Sequence, residues 1–138
     1  MQKGTHSRTD SYSGFGDASP TKMYEKTQLE VLLRANGVTD VVAMGLATDF
    51  CVSFSCKDSA ACGFRTYCVI DGSRHIAPDS LATELRAMRH AGVAVVRSTD
   101  VAGLLAAPTR AELSARLAEV DARATAAAAA AAASVADK

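Results

Sequence analysis

Met44-Gly45-Leu46-Ala47-Thr48-Asp49-Phe50-Cys51-Val52 holds the residue types best suited to chemistry. An apolar run ends here, a short turn follows, and Cys51 is expected to open the next helix. The amides and dipole at a helix N-terminus favour an anion, so a thiolate there is stabilised and the thiol titrates below its usual value of about 8.5. The same amides can hold a developing oxyanion on a substrate carbonyl. That makes Cys51 a candidate nucleophile. From spacing alone, a small buried residue at a helix start is the plainer reading, and Asp49 or Thr48 reads most simply as the N-cap.

A second polar segment runs from Lys3 to Phe15: Lys3-Gly4-Thr5-His6-Ser7-Arg8-Thr9-Asp10-Ser11-Tyr12-Ser13-Gly14-Phe15. Its Gly, Ser and Thr content predicts a loop. Lys3 could place a cation beside the thiolate, although an exposed lysine is again the plainer reading. His6 and His75 read as surface residues. Cys56, Cys62 and Cys68 read as reduced, mostly buried thiols. No pair has close CxxC spacing and the histidines are far apart, so spacing supports no zinc site.

Positioning these residues calls for alternating strands and helices. Ala35-Asn36-Gly37-Val38, Ala61-Cys62-Gly63-Phe64 and His90-Ala91-Gly92-Val93 each read as a helix end, a glycine, then a strand. Leu29, Leu32 and Leu33 form one apolar stripe, with Thr27 and Glu30 as a capping box. Leu81, Leu85 and Met88 form another after Pro78. A helix is predicted from about Asp49 to Cys62. Strands are predicted at Val41–Leu46, Thr66–Asp71 and Val93–Arg97, as near-continuous apolar runs of the kind buried on both faces in parallel sheets. The alternation predicts an α/β fold, doubly wound or similar. Pro108-Thr109-Arg110-Ala111-Glu112 reads as a helix start, and Leu113, Leu117, Val120 and Ala124 continue one face. The alanine run from Ala126 to Ala133 favours helix but buries little.

Composition narrows the function classes. The 138 residues carry 15 Lys+Arg and 15 Asp+Glu, a formal net charge of zero, which gives no electrostatic case for nucleic acid or an anionic membrane as the main partner. No apolar run is long enough for a membrane span. The first residues lack the apolar core of a signal peptide, so disulfides have no support and a soluble, intracellular, cytoplasmic protein is the expectation.

Lys3-Gly4-Thr5 through Asp10-Ser11-Tyr12-Ser13-Gly14-Phe15, followed by Gly45 to Val52, closely resembles nicotinamidases, the nicotinamide and pyrazinamide amidohydrolases of the isochorismatase-like superfamily of cysteine hydrolases. Gly37-Val38-Thr39-Asp40-Val41-Val42, Gly63-Phe64-Arg65-Thr66-Tyr67 and Met88-Arg89-His90-Ala91-Gly92-Val93 fit the same family in order. The resemblance runs from Lys3 to about Thr99. It implies a three-layer, Rossmann-like parallel sheet, of which this chain holds the C-terminal half with about three strands. Residues 1–107 would then be a partial hydrolase domain lacking its first strands, and residues 108–138 a helical, alanine-rich tail.

The resemblance also implies an Asp-Lys-Cys triad. Cys51 matches the nucleophile and Lys3 the lysine that stabilises the thiolate. Leu46–Ala47 matches a cis peptide bond, and the amides of Ala47 and Cys51 match the oxyanion hole. Tyr12 and Phe50 fall where members line the substrate pocket, Phe50 standing where some carry His. The implied reaction is hydrolysis of nicotinamide to nicotinate and ammonia through a cysteine thioester, a step of NAD salvage and pyridine nucleotide biosynthesis. A divalent metal, zinc or similar, is implied as cofactor. The family aspartate and metal ligands match no residue here; Asp10, Asp17 and Asp49 do not correspond. The expectation is a portion of a nicotinamidase with little activity by itself. Two alternatives remain open: a related cysteine hydrolase of another amide, and a non-catalytic α/β module or thiol sensor that needs a partner chain. The small-molecule partner implied is nicotinamide. An unpaired sheet edge would invite association, so a dimer, an aggregate or a partly disordered chain is expected.

Overall fold

Three helix ends and three strand approaches share one backbone device. A computed structural model, which describes residue 3 and residues 10–18, 24–107 and 109–136, gives Gly37, Gly63 and Gly92 φ values of 66°, 86° and 85°. Their amides donate to the carbonyls of Arg34, Ala60 and Arg89 at 3.0, 2.9 and 3.0 Å. The next amides, of Val38, Phe64 and Val93, donate to the carbonyls of Leu33, Ser59 and Met88 at 3.0, 3.2 and 3.0 Å. These bonds satisfy carbonyls that a helix end leaves open, and glycine takes the required φ without a Cβ penalty.

Two compact units divide between Ser98 and Thr99, whereas the sequence expectation put a boundary after residue 107. The first unit begins with two short antiparallel strands, β1 (Gly16–Ala18) and β2 (Tyr24–Lys26), which the sequence pattern does not predict. Then come α1 (Leu29–Ala35), β3 (Asp40–Ala43), a π-helical turn (Thr48–Val52), α2 (Ser53–Ala61), β4 (Arg65–Val69), α3 (Pro78–His90) and β5 (Ala94–Val96). The fold is α/β, with a parallel sheet in the order β3-β4-β5. Val42 pairs with Tyr67, which pairs with Ala94.

The strands are shorter than predicted, and only β4 is buried through most of its length. Tyr67, Cys68 and Val69 are 2%, 0% and 1% exposed, while every residue of β3 is half-buried. Among the described strands, β4 has neighbours on both edges and β3 on one. Burial also raises the Tyr67 phenol to about 12, helped by Asp40, whose carboxylate accepts its hydroxyl at 3.1 Å. Val52 and Cys56 meet Cys68, Met88 and Val93 in one core cluster, so α2 and α3 both contribute to it. Burying a side chain such as Met88 contributes about 1.5–3 kcal/mol.

The expected capping box at α1 is only half present. The Leu29 amide donates to Thr27 Oγ1 at 3.2 Å. Glu30, however, turns outward to Lys26 and Arg34, each at 3.0 Å, and these two cations lower its carboxyl to about 2. The (i, i+4) pairs compete with the backbone for that carboxylate and win it here.

The second unit contains most of α4 (Ser98–Leu105), which the sequence pattern does not predict, and α5 (Arg110–Ala136). Leu104, Ala107, Leu113 and Val120 are buried, and Arg123 pairs with Asp100 at 2.8 Å. Thr109 Oγ1 accepts the Glu112 amide at 3.2 Å, which is the N-cap half of a capping box. Ala124, expected to continue the apolar face, is exposed. Pro108 and His6 lie outside the described residues. Among the described residues, no helix is long and apolar enough to cross a membrane.

Candidate active site

Beyond β3 the backbone leaves regular structure. Gly45 takes φ 129°, and the Leu46–Ala47 peptide is cis. The loop after β4 holds this stretch in place. Ser73 Oγ accepts the Gly45 amide at 3.2 Å, the Arg74 amide donates to the Gly45 carbonyl at 3.2 Å, and the Thr48 amide donates to the Arg74 carbonyl at 2.8 Å. Leu46 and Arg74 form an isolated parallel bridge.

The helical turn that follows is wide. The amides of Phe50 and Val52 both donate to the Ala47 carbonyl at 3.1 Å, so the turn closes around five residues rather than four. Cys51 therefore does not open α2. It is the fourth residue of the π-helical turn, and α2 starts at Ser53. The capping expectation also needs correction. The N-cap is Ala47, with no side-chain bond. Thr48 Oγ1 is buried without a hydrogen-bond partner among the described residues.

Asp49 caps a different helix. Its carboxylate accepts the Ile76 amide at 3.0 Å, the Ala77 amide at 3.1 Å and the Ser80 hydroxyl, all at the N-terminus of α3. Burial alone would raise its pKa. The bonds from Ser80, Ile76 and Ala77 outweigh burial and lower it to about 2. A signal for this existed in the sequence: Ala77 precedes Pro78 where a capping side chain is usual, leaving the first amides of α3 to find an acceptor elsewhere.

Around Cys51, which is half-buried and free, the structure gathers an aromatic group. The Tyr12 ring lies 5.9 Å from Phe50 and 5.5 Å from Phe54, centroid to centroid. Tyr12 donates its hydroxyl to Asp10 Oδ2 at 3.3 Å, and its phenol is pushed up first by the Asp10 charge, with a smaller push from Cys51. Tyr12, Phe50 and Cys51 are thus brought together. Lys3 reaches the group through backbone: its Nζ donates to the carbonyls of Ser11 at 2.6 Å and Tyr12 at 3.1 Å, and no hydrogen bond joins it to Cys51. Leu46 and His75 are exposed, and Ala47 is half-buried.

Sequence reasoning missed a second layer. Lys57 stands 4.3 Å over the Phe54 ring and pairs with Glu84 at 2.7 Å; Glu84 also accepts the Ser53 hydroxyl. Burial opposes ionisation of Glu84, but Lys57 and Ser53 hold its carboxyl below the ordinary range. Among the described residues, no three His, Cys, Asp or Glu side chains come together to hold a metal ion. They do not fit the divalent metal that the resemblance implies.

Residues 11–100 match the isochorismatase domain. The chain belongs to the isochorismatase family. This isochorismatase-family chain is similar to the nicotinamidase of Escherichia coli, with 34% identity over 72% of this chain and 46% of that protein. It is similar to the Mycobacterium tuberculosis nicotinamidase/pyrazinamidase, with 33% identity over 66% of this chain and 47% of that one. Among solved structures, an Acinetobacter baumannii nicotinamidase/pyrazinamidase superposes with a TM-score of 0.64 at 35% identity, covering 70% of this chain and 45% of that chain. A Pyrococcus horikoshii pyrazinamidase in complex with zinc gives 0.58 at 30% identity, covering 69% and 48%. An L. infantum protein in complex with nicotinate gives 0.61 at 28% identity, covering 67% and 44%. The chain spans about half the length of the relatives it matches.

Proposed function

We propose that Cys51 is the nucleophile of a nicotinamide amidohydrolase for which this chain supplies the thiol, the oxyanion donors and an aromatic wall. The observation that carries the reading is the half-buried Cys51 in a widened turn behind Leu46–Ala47, beside the Tyr12 and Phe50 rings, in a chain with nicotinamidase relatives. Cys51 Sγ attacks the carboxamide carbon while the amides of Ala47 and Cys51 donate to the oxygen that gains charge. The C–N bond then breaks, the amine takes a proton and leaves as ammonia, and a nicotinoyl thioester remains. Water adds to the thioester, the C–S bond breaks, and nicotinate and the free thiol are released. Lys3 stabilises the thiolate, and Tyr12 and Phe50 pack the pyridine ring. No step is assigned to a metal, because the described residues do not fit one.

The family aspartate, which serves the leaving amine, matches no residue of this chain. The chain alone should therefore release nicotinate from nicotinamide far more slowly than the E. coli relative. A nicotinoyl ester with a good leaving group needs no such proton. With p-nitrophenyl nicotinate, intact-mass and peptide mass spectrometry should find a nicotinoyl group on Cys51, formed faster than on Cys62. Equal acylation of Cys51 and Cys62 would overturn the reading. So would nicotinamide hydrolysis that persists in Cys51→Ala, where a loss of about 10³-fold or more is expected.

A further inference from the structure

We propose that α3 is a clamp that sets the position of Cys51, with Ser80 and Glu84 as positioning residues acting through Asp49 and Ser53; the proposal rests on the reading of Cys51 as nucleophile. Asp49 and Ser53 lie two residues to either side of Cys51 and are 2% and 0% exposed. Neither side chain serves its own helical turn. The Asp49 carboxylate accepts bonds from Ile76, Ala77 and Ser80, and the Ser53 hydroxyl donates to Glu84.

The spacing on α3 makes this one contact surface. Ser80, Glu84 and Met88 are four apart, so they lie along one face of the helix. Ser80 meets Asp49, Glu84 meets Ser53, and Met88 enters the core cluster with Val52 and Cys56. Lys57, one turn beyond Ser53 on α2, closes the row on Glu84 at 2.7 Å. The turn that carries Cys51 closes on the Ala47 carbonyl, and its N-cap makes no side-chain hydrogen bond. The dependence is mutual, since α3 has no side-chain cap of its own and takes Asp49 instead. Loosening either polar contact should release Cys51 and leave the apolar contacts of Met88 in place.

The test is iodoacetamide alkylation of the full chain at fixed pH, with the rate at each of the four cysteines read by peptide mass spectrometry. Cys56 and Cys68 are fully buried and report global opening; Cys62, half-buried at the far end of α2, is the internal reference. In Ser80→Ala and in Glu84→Ala, the Cys51 rate should change by about fivefold, the worth of one hydrogen bond. Cys62 should stay near its wild-type rate, and Cys56 and Cys68 should remain protected. Ser80→Thr, which keeps the hydroxyl, should restore the Cys51 rate. An unchanged Cys51 rate in both variants would overturn the clamp. So would a change shared in proportion by Cys56 and Cys68, or a failure of Ser80→Thr to rescue. Alkylation requires no nicotinoyl chemistry, so a clamp failure is separable from failure of Cys51 to accept a nicotinoyl group.

Discussion

The chain makes two kinds of connection between strands and helices. At Gly37, Gly63 and Gly92, where a helix gives way to a strand, the amides of the glycine and of the next residue bond to carbonyls three and five residues back. From Gly45 to Ser53, where β3 gives way to α2, the partners beyond the turn itself are Ser73, Arg74, Ile76, Ala77, Ser80 and Glu84, which stand 26 to 31 residues away. The first kind is a repeated device that works anywhere a glycine follows a helix. The second exists only once the rest of the first unit has folded around it. Precision at Cys51 is therefore borrowed from α3 and the loop after β4, and substitutions far from the thiol in sequence should reach it.

The largest effect should come from Asp49→Ala. It leaves the amides of Ile76 and Ala77 and the Ser80 hydroxyl, all part-buried, without their acceptor. Its loss of urea stability should exceed that of any glycine change described below. If it proves no larger than Gly63→Ala, the contrast between the two kinds of connection fails. The same carboxylate predicts a pH dependence. Its folded pKa of about 2 lies below the ordinary 3.8, so its contribution is complete above about pH 4 and is lost as pH falls through about 2. The stability gap between wild type and Asp49→Asn should close over that window. A gap that stays constant would remove Asp49 as the cause.

Smaller effects should separate the glycines. At Gly37, Gly63 and Gly92 an added Cβ meets nothing within 4 Å, so the cost of alanine is purely conformational, about 1–2 kcal/mol, and should be nearly equal at all three. Asparagine, which tolerates the left-handed region, should cost less than alanine at each. Gly45, at φ 129°, lies outside that region, and asparagine should bring no relief there. Urea midpoints for the four alanine and four asparagine variants would check this. Relief at Gly45 equal to that at Gly63 would show that its backbone is held no differently.

The same contrast explains what could be read in advance. The three glycine terminators, the parallel α/β alternation and the Leu81–Leu85–Met88 stripe follow from local pattern, and the structure bears them out. Thr48 and Asp49 looked like caps because Thr and Asp before a helix usually are. Which helix Asp49 caps depends on a fold-level meeting that no window of neighbours encodes. The five-residue closure at Val52 was hidden for the same reason, since the sequence around Cys51 is compatible with an ordinary helix start. Lys3 and Tyr12 stood out through resemblance rather than pattern. The half-burial of β3 could not be seen at all, because its apolar composition matches that of β4 while its neighbours differ.

That grading of burial across the sheet has a consequence for how the molecule breathes. Tyr67, Cys68 and Val69 sit at 2%, 0% and 1% exposure, every residue of β3 is half-buried, and α1 has no buried residue. Amide hydrogens of β4 should exchange with deuterium only through global opening, whereas those of α1 should exchange through local fraying. Protection factors measured by NMR should fall from β4 to β3 to α1, and uniform protection across the three would contradict it. The cooperative unit of this chain would then be a narrow band centred on β4, with Cys51 at its margin.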